Sequence, residues 1–183
     1  MTPPESPDEL LVIGAILGNL EAFEQLVVRY RPAVVRLART IVGADDAEDV
    51  AQDSLLLAFK ALPAIEEPRK FPAWLSAITR NRALRFSKSE TAQLKKRVPL
   101  DEALLEKIEA LAKPLAEKER DEAMIAAMES LPSDYALPLK LRFLDEMPLD
   151  RIAAFMGVPL STVKWRIHQG KKLLRGKVES TNQ

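Results

Sequence analysis

A helix-turn-helix pattern near the C-terminal end constrains the fold of this chain more than any other feature. From Leu149 the sequence reads LDRIAAFMGVPLSTVKWRIHQGKKLLRGKV, with apolar residues at helical spacing on both sides of Gly157-Val158-Pro159. Gly157 supplies the backbone freedom that a tight turn needs, Pro159 discourages the first helix from continuing, and Ser161 can cap the second. The pattern predicts a short helix packed across a recognition helix that enters the DNA major groove.

The second helix of this motif is predicted to have one buried face and one basic face. Val163, Ile167 and Leu174 fall on the inward side. The residues predicted to point outward are Lys164, Arg166, Lys171, Lys172 and Arg175. The alternative is an ordinary helical hairpin with a solvated basic face. The small-residue turn and the dense cations of the second helix favour DNA binding.

The composition predicts an all-α protein. Aromatic residues make up only 5% of the 183 residues, and the alternating β-branched pattern of strands is almost absent. The length allows two small domains. There is no apolar run long enough to span a membrane, no signal-peptide pattern at the N-terminus and no cysteine. We therefore expect a cytoplasmic protein without membrane insertion.

The net charge of zero conceals alternating blocks of charge. Residues 1–67 carry 5 basic and 12 acidic side chains, and residues 68–99 carry 9 and 1. Residues 100–150 carry 6 and 13, and residues 151–183 carry 7 and 1. Two basic segments separated by acidic ones indicate two nucleic-acid contacts on one chain, with acidic faces free for a protein partner.

The sequence contains few of the motifs that are typical of enzyme active sites. His168 is the only histidine and there is no cysteine, so cysteine-based zinc sites and Cys–His catalytic groups are excluded, and a Ser–His catalytic group could use only His168. No glycine-rich phosphate loop is present. We expect neither catalysis nor a metal or cofactor, and we interpret His168 as a phosphate or base contact.

The pattern of helices divides the chain into two helical domains joined by a charged linker. The Pro-rich residues 1–9 are predicted to be disordered. Residues 10–87 form the first domain, residues 88–118 the linker, residues 119–178 a four-helix second domain, and residues 179–183 a tail. Within the first domain, an acidic helix from Asp45 to Leu62 precedes a basic helix from Ala73 to about Ser87.

The acidic helix is predicted to bury one apolar face, which includes Leu57 and is widened by Phe59. Its opposite surface carries Asp49 and Asp53, which are like charges one turn apart and repel each other weakly. This arrangement suits a basic partner, and it equally suits a solvated first turn; both interpretations stay open. The basic helix interleaves arginines with Trp74 and Phe86, which can act as stacking platforms for single-stranded bases or as core residues.

Two segments resemble the bacterial RNA polymerase sigma factors of the extracytoplasmic-function group. DDAEDVAQDSLLLAFKAL followed by KFPAWLSAITRNRALRFSK is similar to their region 2. AMESLPSDYALPLKLRFLDEMPLDRIAAFMGVPLSTVKWRIHQGKKLLR is similar to their region 4. The order of the two segments and the linker length also match. The resemblance implies a non-catalytic protein that gives promoter specificity to core RNA polymerase.

The resemblance also implies roles for individual residues. The acidic helix would dock on the clamp helices of the largest polymerase subunit through Asp45, Glu48, Asp49, Gln52 and Asp53. The loop and basic helix would recognise and melt the −10 element through Arg69, Lys70, Trp74, Arg80, Asn81, Arg82 and Arg85. The recognition helix would read the −35 element through Ser161, Thr162, Lys164, Trp165, Arg166, His168, Gln169, Lys171 and Lys172.

Further partners implied by the resemblance are the flap of the second-largest polymerase subunit and an anti-sigma factor. Three residues depart from the family pattern: Trp165 where a small residue is usual, Gln169 where a basic one is common, and Pro138 inside a normally regular helix. The alternatives are a free-standing helix-turn-helix regulator and a sigma-like adaptor without DNA function.

Overall fold

The part of the chain that the structure describes consists of helices and the turns between them. The computed structural model describes residues 7–94 and 124–181, with side-chain surroundings for residues 7–89 and 124–176. The helices are α1 (Asp8–Ile16), α2 (Leu20–Val42), α3 (Ala47–Ala61), α4 (Phe71–Leu94), α5 (Ser133–Phe143), α6 (Leu149–Met156) and α7 (Leu160–Thr181). Short 3-10 turns lie at Leu62–Ala64 and Pro68–Lys70, and residues 124–129 are helical. No strand occurs in these ranges, which confirms the predicted all-α class.

Two predicted boundaries differ from the structure. Helix α1 begins at Asp8, whose carboxylate accepts hydrogen bonds from Arg29 at 2.7 Å and from the Tyr30 hydroxyl. The prediction that Asp8 and Glu9 are disordered is therefore wrong. Residues 1–6 lie outside the described residues. Helix α4 continues past the predicted linker start at residue 88. Residues 95–118 of the predicted linker also lie outside the described residues.

Helices α1 to α4 form an N-terminal unit around α2. This helix begins where Asn19 accepts a hydrogen bond from the Ala22 amide at 3.2 Å, and it contacts α1, α3 and α4. Helix α3 packs through the small residues Ser54 and Ala58, and the buried Ser54 hydroxyl donates to the Val50 carbonyl at 2.6 Å. Because small side chains line the contact, α3 and its neighbours approach closely.

Helices α5 to α7 form a C-terminal unit that contains the predicted helix-turn-helix. Gly157 has φ of 65°, a left-handed conformation that favours glycine, and the Val158 amide donates to the Ala153 carbonyl at 3.1 Å to close α6. The predicted turn is therefore confirmed. Ser161 lies inside the first turn of α7 rather than before it, so its predicted capping role is wrong. Pro138 is buried within α5.

The recognition helix α7 approaches α5 unusually closely at Gly170. A Cβ atom at this glycine would lie 2.5 Å from Cδ1 of the fully buried Leu139. Val163 and Ile167 are buried on the same side of α7, as predicted. The absence of a side chain at Gly170 thus sets how deeply α7 seats against α5.

The N-terminal and C-terminal units pack against each other around one hydrophobic core. Phe155 of α6 is buried, and its ring stacks on that of Tyr30 from α2, with centroids 6.2 Å apart. Helix α6 also contacts α4, and α5 contacts α2. The two predicted domains are therefore in direct contact in this structure. Over the described ranges, no helix combines the length and apolar character needed to cross a membrane.

Candidate polymerase and promoter interfaces

The predicted acidic surface lies on α3 and on the turn before it. Four of its five members are exposed: Asp45, Glu48, Asp49 and Gln52. The fifth, Asp53, is half-buried and accepts a hydrogen bond from Nε of Arg82 at 3.1 Å. Asp53 and Arg82 were assigned to different partners from the sequence, yet the structure pairs them, and the pair joins α3 to α4.

An apolar groove lies beside this acidic surface, between α2 and α3. Its volume is about 730 Å³, and Glu48 and Gln52 belong to its lining. The groove also exposes large apolar side chains, with Leu56 53% and Phe59 44% exposed. The sequence pattern did not reveal this groove as part of the site.

The exposure of Leu57 and Phe59 corrects the prediction that both lie on the buried face of the acidic helix. Helix α3 buries a narrower stripe than predicted, made of small residues and Val50. Close packing through this stripe leaves the larger neighbouring side chains at the edge of the α2–α3 contact. Among the described aromatic contacts, Phe59 has one, with the ring of Phe23 at 4.8 Å between centroids. Large apolar residues next to a small-residue stripe are the signal that could have located the groove.

The predicted −10 residues lie on the Pro68–Lys70 turn and on α4. The exposed members are Arg69, Lys70, Arg80, Asn81 and Arg85. The Lys70 ammonium group donates a hydrogen bond to Glu67 at 2.7 Å, which lowers the pKa of that carboxyl group. Trp74 is half-buried against the core, with its ring 6.0 Å from that of Phe71, so it packs as a core residue here.

The predicted −35 residues divide between two faces of α7. Five are exposed along one side of the helix: Ser161, Lys164, Trp165, His168 and Lys172. Thr162, Arg166 and Gln169 are half-buried. Lys171 is exposed, and its ammonium nitrogen lies 4.5 Å from the centre of the Phe143 ring on α5.

Arg166 points away from the exposed face, contrary to the prediction. Its guanidinium lies 3.5 Å from Asp134 of α5, and its side chain is 21% exposed. The physical reason is helical geometry, because two residues from Lys164 correspond to about 200° around the helix axis. Arg166 and Arg80 line the same cavity of about 350 Å³ between the two units.

Trp165 keeps much of its ring exposed while leaning on α5. The side chain is 54% exposed, and its ring centroid lies 6.0 Å from that of Tyr135. The described ring contact of Trp165 is therefore with α5, outside the helix-turn-helix motif. The remaining ring surface faces the same side as Lys164 and His168.

Comparisons with known proteins identify the family of the chain. Residues 26–93 match the family described as Sigma-70 region 2, and residues 121–174 match Sigma-70, region 4. The chain is 30% identical to the ECF RNA polymerase sigma-E factor of Salmonella typhimurium over 183 aligned positions, which cover 94% of each chain. This chain belongs to the ECF sigma factors.

A second relative carries the same family name, and two solved structures share the fold. The ECF RNA polymerase sigma factor SigW of Bacillus subtilis is 26% identical over 174 positions, covering 86% of this chain and 89% of SigW. The fold is similar to CnrH in its complex with the cytosolic domain of CnrY, at 24% identity and a TM-score of 0.57 over 94% of this chain and 97% of CnrH. It is also similar to RpoE of Bartonella quintana in complex with the anti-sigma factor NepR, at 19% identity and a TM-score of 0.53, over 87% and 98% of the chains.

Family membership decides between the functions left open by the sequence. The chain is an alternative sigma factor, which acts with core RNA polymerase and promoter DNA in transcription initiation. The region 2 match lies within the N-terminal unit, and the region 4 match includes α5, α6 and most of α7. A free-standing regulator and an adaptor without DNA function are therefore not the preferred interpretations.

Proposed function

We propose that the ECF sigma factor distributes its function over three exposed surfaces. The acidic surface and groove of α3 bind core polymerase, the basic side of α4 engages the −10 element, and the outer face of α7 reads the −35 element. The observation that supports this proposal most strongly is the exposure of four of the five members of the acidic surface beside an apolar groove. A charged rim around an apolar centre is the usual construction of a protein interface.

The polymerase contact combines charge and apolar burial. Glu48, Asp49 and Gln52 supply acceptors for basic groups on the clamp helices of the largest subunit, and Phe59 and Leu56 supply apolar area in the groove. Asp53 has a positioning role, because its carboxylate holds Arg82 across the α3–α4 contact. The C-terminal unit would meet the flap of the second-largest subunit.

The −10 contact uses the exposed cations and amide of α4. Arg80 and Arg85 neutralise phosphates of the single strand, and Asn81 lies between them, where its amide can bond to a base edge. Arg69 and Lys70 extend the basic surface from the preceding turn. Trp74 packs its ring against the core and therefore supports the α4 surface from behind instead of stacking on a base.

The −35 contact uses the exposed side of α7. Lys164, Trp165 and His168 lie in its first turns, where a helix inserted by its N-terminal end reaches base edges. Ser161 and Lys172 contact phosphates near the two ends of that face. Thr162, Arg166 and Gln169 are half-buried and flank the contact.

An anti-sigma factor is a further proposed partner. The two solved relatives were captured with the cytosolic domain of CnrY and with the anti-sigma factor NepR. We propose that a protein of this kind covers the apolar groove of α3, so that inhibitor and polymerase compete for one surface.

The site of action of the sigma factor is the cytoplasm, where polymerase meets chromosomal DNA.

The test of the polymerase contact is a charge reversal on α3. Asp49→Lys should reduce the affinity for core polymerase at least tenfold, because it places a cation in the acidic surface at an exposed position with no described partner to lose. Glu9→Lys is the matched control, since it makes the same charge change at an exposed position of α1. Equal affinities of the two variants, measured by titration with labelled sigma factor, would remove Asp49 from the interface.

A further inference from the structure

A large aromatic ring lies in the middle of the exposed face of α7. Spacings of four, three and four residues place four exposed side chains in one row along this helix: Ser161, Trp165, His168 and Lys172. Trp165 is 54% exposed although it is the largest apolar member of the row. The row therefore consists of three polar side chains with one aromatic ring among them.

Helix α5 supports this ring from one side. Tyr135 of α5 is half-buried, and its ring centroid lies 6.0 Å from that of Trp165 at an interplanar angle of 51°. Tilted pairs at this distance are a favourable arrangement of two aromatic rings. Helix α7 can approach Tyr135 because residue 170 is glycine, and a Cβ atom at Gly170 would lie 3.4 Å from the Cβ atom of Tyr135. The indole thus has a support on α5, while more than half of Trp165 stays exposed.

The position of the ring along the helix places it where a recognition helix reads bases. Helix α7 begins at Leu160, so Trp165 lies in its second turn. In a helix-turn-helix, the N-terminal residues of the recognition helix reach the base edges in the major groove. The neighbouring Lys164 and His168 are exposed and supply N–H donors for base acceptors. The indole has a single N–H donor and no acceptor, so most of its surface requires an apolar group on the DNA.

Thymine presents such an apolar group in the major groove. Its C5 methyl group projects into the groove, whereas guanine and adenine present hydrogen-bonding atoms and cytosine presents an amino group. A ring pressed against those polar atoms removes their water without replacing the hydrogen bonds, which is unfavourable. A ring that is already supported before binding also loses less side-chain freedom than a mobile one. The supported face of Trp165 therefore favours thymine over the other three bases.

We propose that Trp165 is a specificity-determining residue that packs on the C5 methyl group of one thymine in the −35 element, and that Tyr135 is a positioning residue that holds the indole in place. The inference rests on the proposed assignment of α7 to the −35 element. Burial of one methyl group corresponds to a gain of about fourfold in affinity. The promoter preference of this sigma factor therefore includes a thymine whose selection depends on the ring at position 165.

The first measurement is selection from promoter DNA with a randomised −35 element, by holoenzyme reconstituted from core RNA polymerase and the full chain. We expect the wild-type chain to enrich thymine at one position and Trp165→Ala to lose that enrichment at this position alone. Leu173→Ala is the control, because Leu173 is an apolar residue of α7 that is 43% exposed and lies about 80° around the helix axis from Trp165. An unchanged thymine preference in Trp165→Ala would overturn the proposal, and so would a preference for another base that depends on Trp165.

The second measurement removes only the methyl group from the DNA. Deoxyuridine in place of the selected thymine should weaken binding about fourfold for the wild-type and Leu173→Ala holoenzymes. The same replacement should have no effect on Trp165→Ala, because the two changes remove the two sides of one contact. A loss of equal size in the wild-type chain and in Trp165→Ala contradicts the proposed contact, as does the absence of a loss in both.

The positioning role of Tyr135 is tested with the same pair of DNAs. Tyr135→Ala should reduce the ratio of thymine to deoxyuridine affinity, whereas Tyr135→Phe keeps the ring and should preserve this ratio. A loss of stability alone would weaken binding to both DNAs and leave the ratio unchanged, and that result would remove Tyr135 from the proposal. Far-ultraviolet circular dichroism checks that each variant is folded.

A further variant separates the failure of this inference from the failure of the proposed −35 contact. Lys172→Ala should weaken binding to thymine and deoxyuridine DNA equally, because a phosphate contact does not depend on the base. If this loss is found and the methyl group has no effect, α7 binds the −35 element and the inference about Trp165 is wrong. If neither Lys172→Ala nor Trp165→Ala changes the affinity or the selected sequence, the assignment of α7 to the −35 element is itself wrong.

Discussion

The close approach of α7 to α5 leads to a quantitative prediction about two glycines of the recognition helix. Gly170 faces α5, whereas a Cβ atom at Gly176 would meet no described atom within 4 Å apart from its chain neighbours and the backbone of its own helix. Changing either residue to alanine restricts the unfolded chain and improves helix propensity, which stabilises by about 0.5–1 kcal/mol. Because this gain is common to both variants, it cancels when they are compared.

The remaining difference measures the steric overlap at Gly170. The new methyl group would lie 2.5 Å from Cδ1 and 3.2 Å from Cγ of Leu139, and 3.4 Å from Cβ of Tyr135. Leu139 is fully buried, so it has little room to move away. Overpacking of this kind costs about 1–3 kcal/mol. We therefore expect Gly176→Ala to exceed Gly170→Ala in free energy of unfolding by about 1–3 kcal/mol.

The assay is equilibrium urea unfolding of the two variants, monitored by far-ultraviolet circular dichroism, with midpoints compared at a common slope. Gly176→Ala should unfold at a higher urea concentration than the wild-type chain. If the two variants unfold within 0.3–0.5 kcal/mol of each other, which is about the usual error of such comparisons, α7 does not seat against α5 as closely as the structure indicates.

Three further predictions concern the DNA surfaces and the core. Lys164→Ala should weaken −35 binding by about 1–3 kcal/mol and relax the preference at one base position. Lys172→Ala should weaken binding to all −35 sequences alike and lower the slope of log affinity against log salt concentration by about one. Selection from randomised −35 duplexes distinguishes the two effects. Arg80→Ala combined with Asn81→Ala should reduce permanganate reactivity of −10 thymines more than it reduces closed-complex formation, and equal losses would assign these residues to duplex anchoring. Burial raises the pKa of Tyr30, and the hydrogen bond to Asp8 raises it further, so this hydroxyl ionises at a lower pH in the unfolded chain than in the folded one. The free energy of unfolding that this group contributes is fully present below about pH 10 and falls by about 1.4 kcal/mol per pH unit above it. Tyr30→Phe should flatten that decline in alkaline urea titrations.

The helix-turn-helix and the charge blocks could be predicted from the sequence because their signals are local. Gly157 and Pro159 mark the turn directly, and the periodicity of Val163 and Ile167 identifies the buried side of α7. Hydrophobic periodicity also predicted an all-α protein. Each of these inferences depends on composition or on residues close to one another in the sequence, and none of them depends on a contact between distant residues.

The arrangement of the two units could not be predicted because it depends on contacts between distant residues. Arg36 and Asp145 are 109 positions apart, and neither differs locally from a solvated surface charge. Arg82 was assigned to DNA from its place in a basic block, although its guanidinium bonds to Asp53 on another helix. Local patterns identify which residues are charged or apolar, and tertiary packing decides which of them meet.

The groove beside the acidic surface was missed for a related reason. Helical periodicity predicts the direction of an apolar face but not its width, so Leu57 and Phe59 were placed in the core. The width depends on how closely the neighbouring helix approaches, which small residues such as Ser54 and Ala58 permit. Groups of large apolar residues beside such a stripe are therefore candidates for exposed interface positions.

The most direct test of the central claim is run-off transcription with core RNA polymerase and the DNA upstream of the gene for this sigma factor. We expect a discrete transcript that requires both the polymerase and the sigma factor and that disappears with Asp49→Lys but persists with Glu9→Lys. The contradictory result is that the folded sigma factor binds the duplex tightly alone, and that its addition to core polymerase yields no promoter-specific transcript from this DNA or from a genomic fragment library.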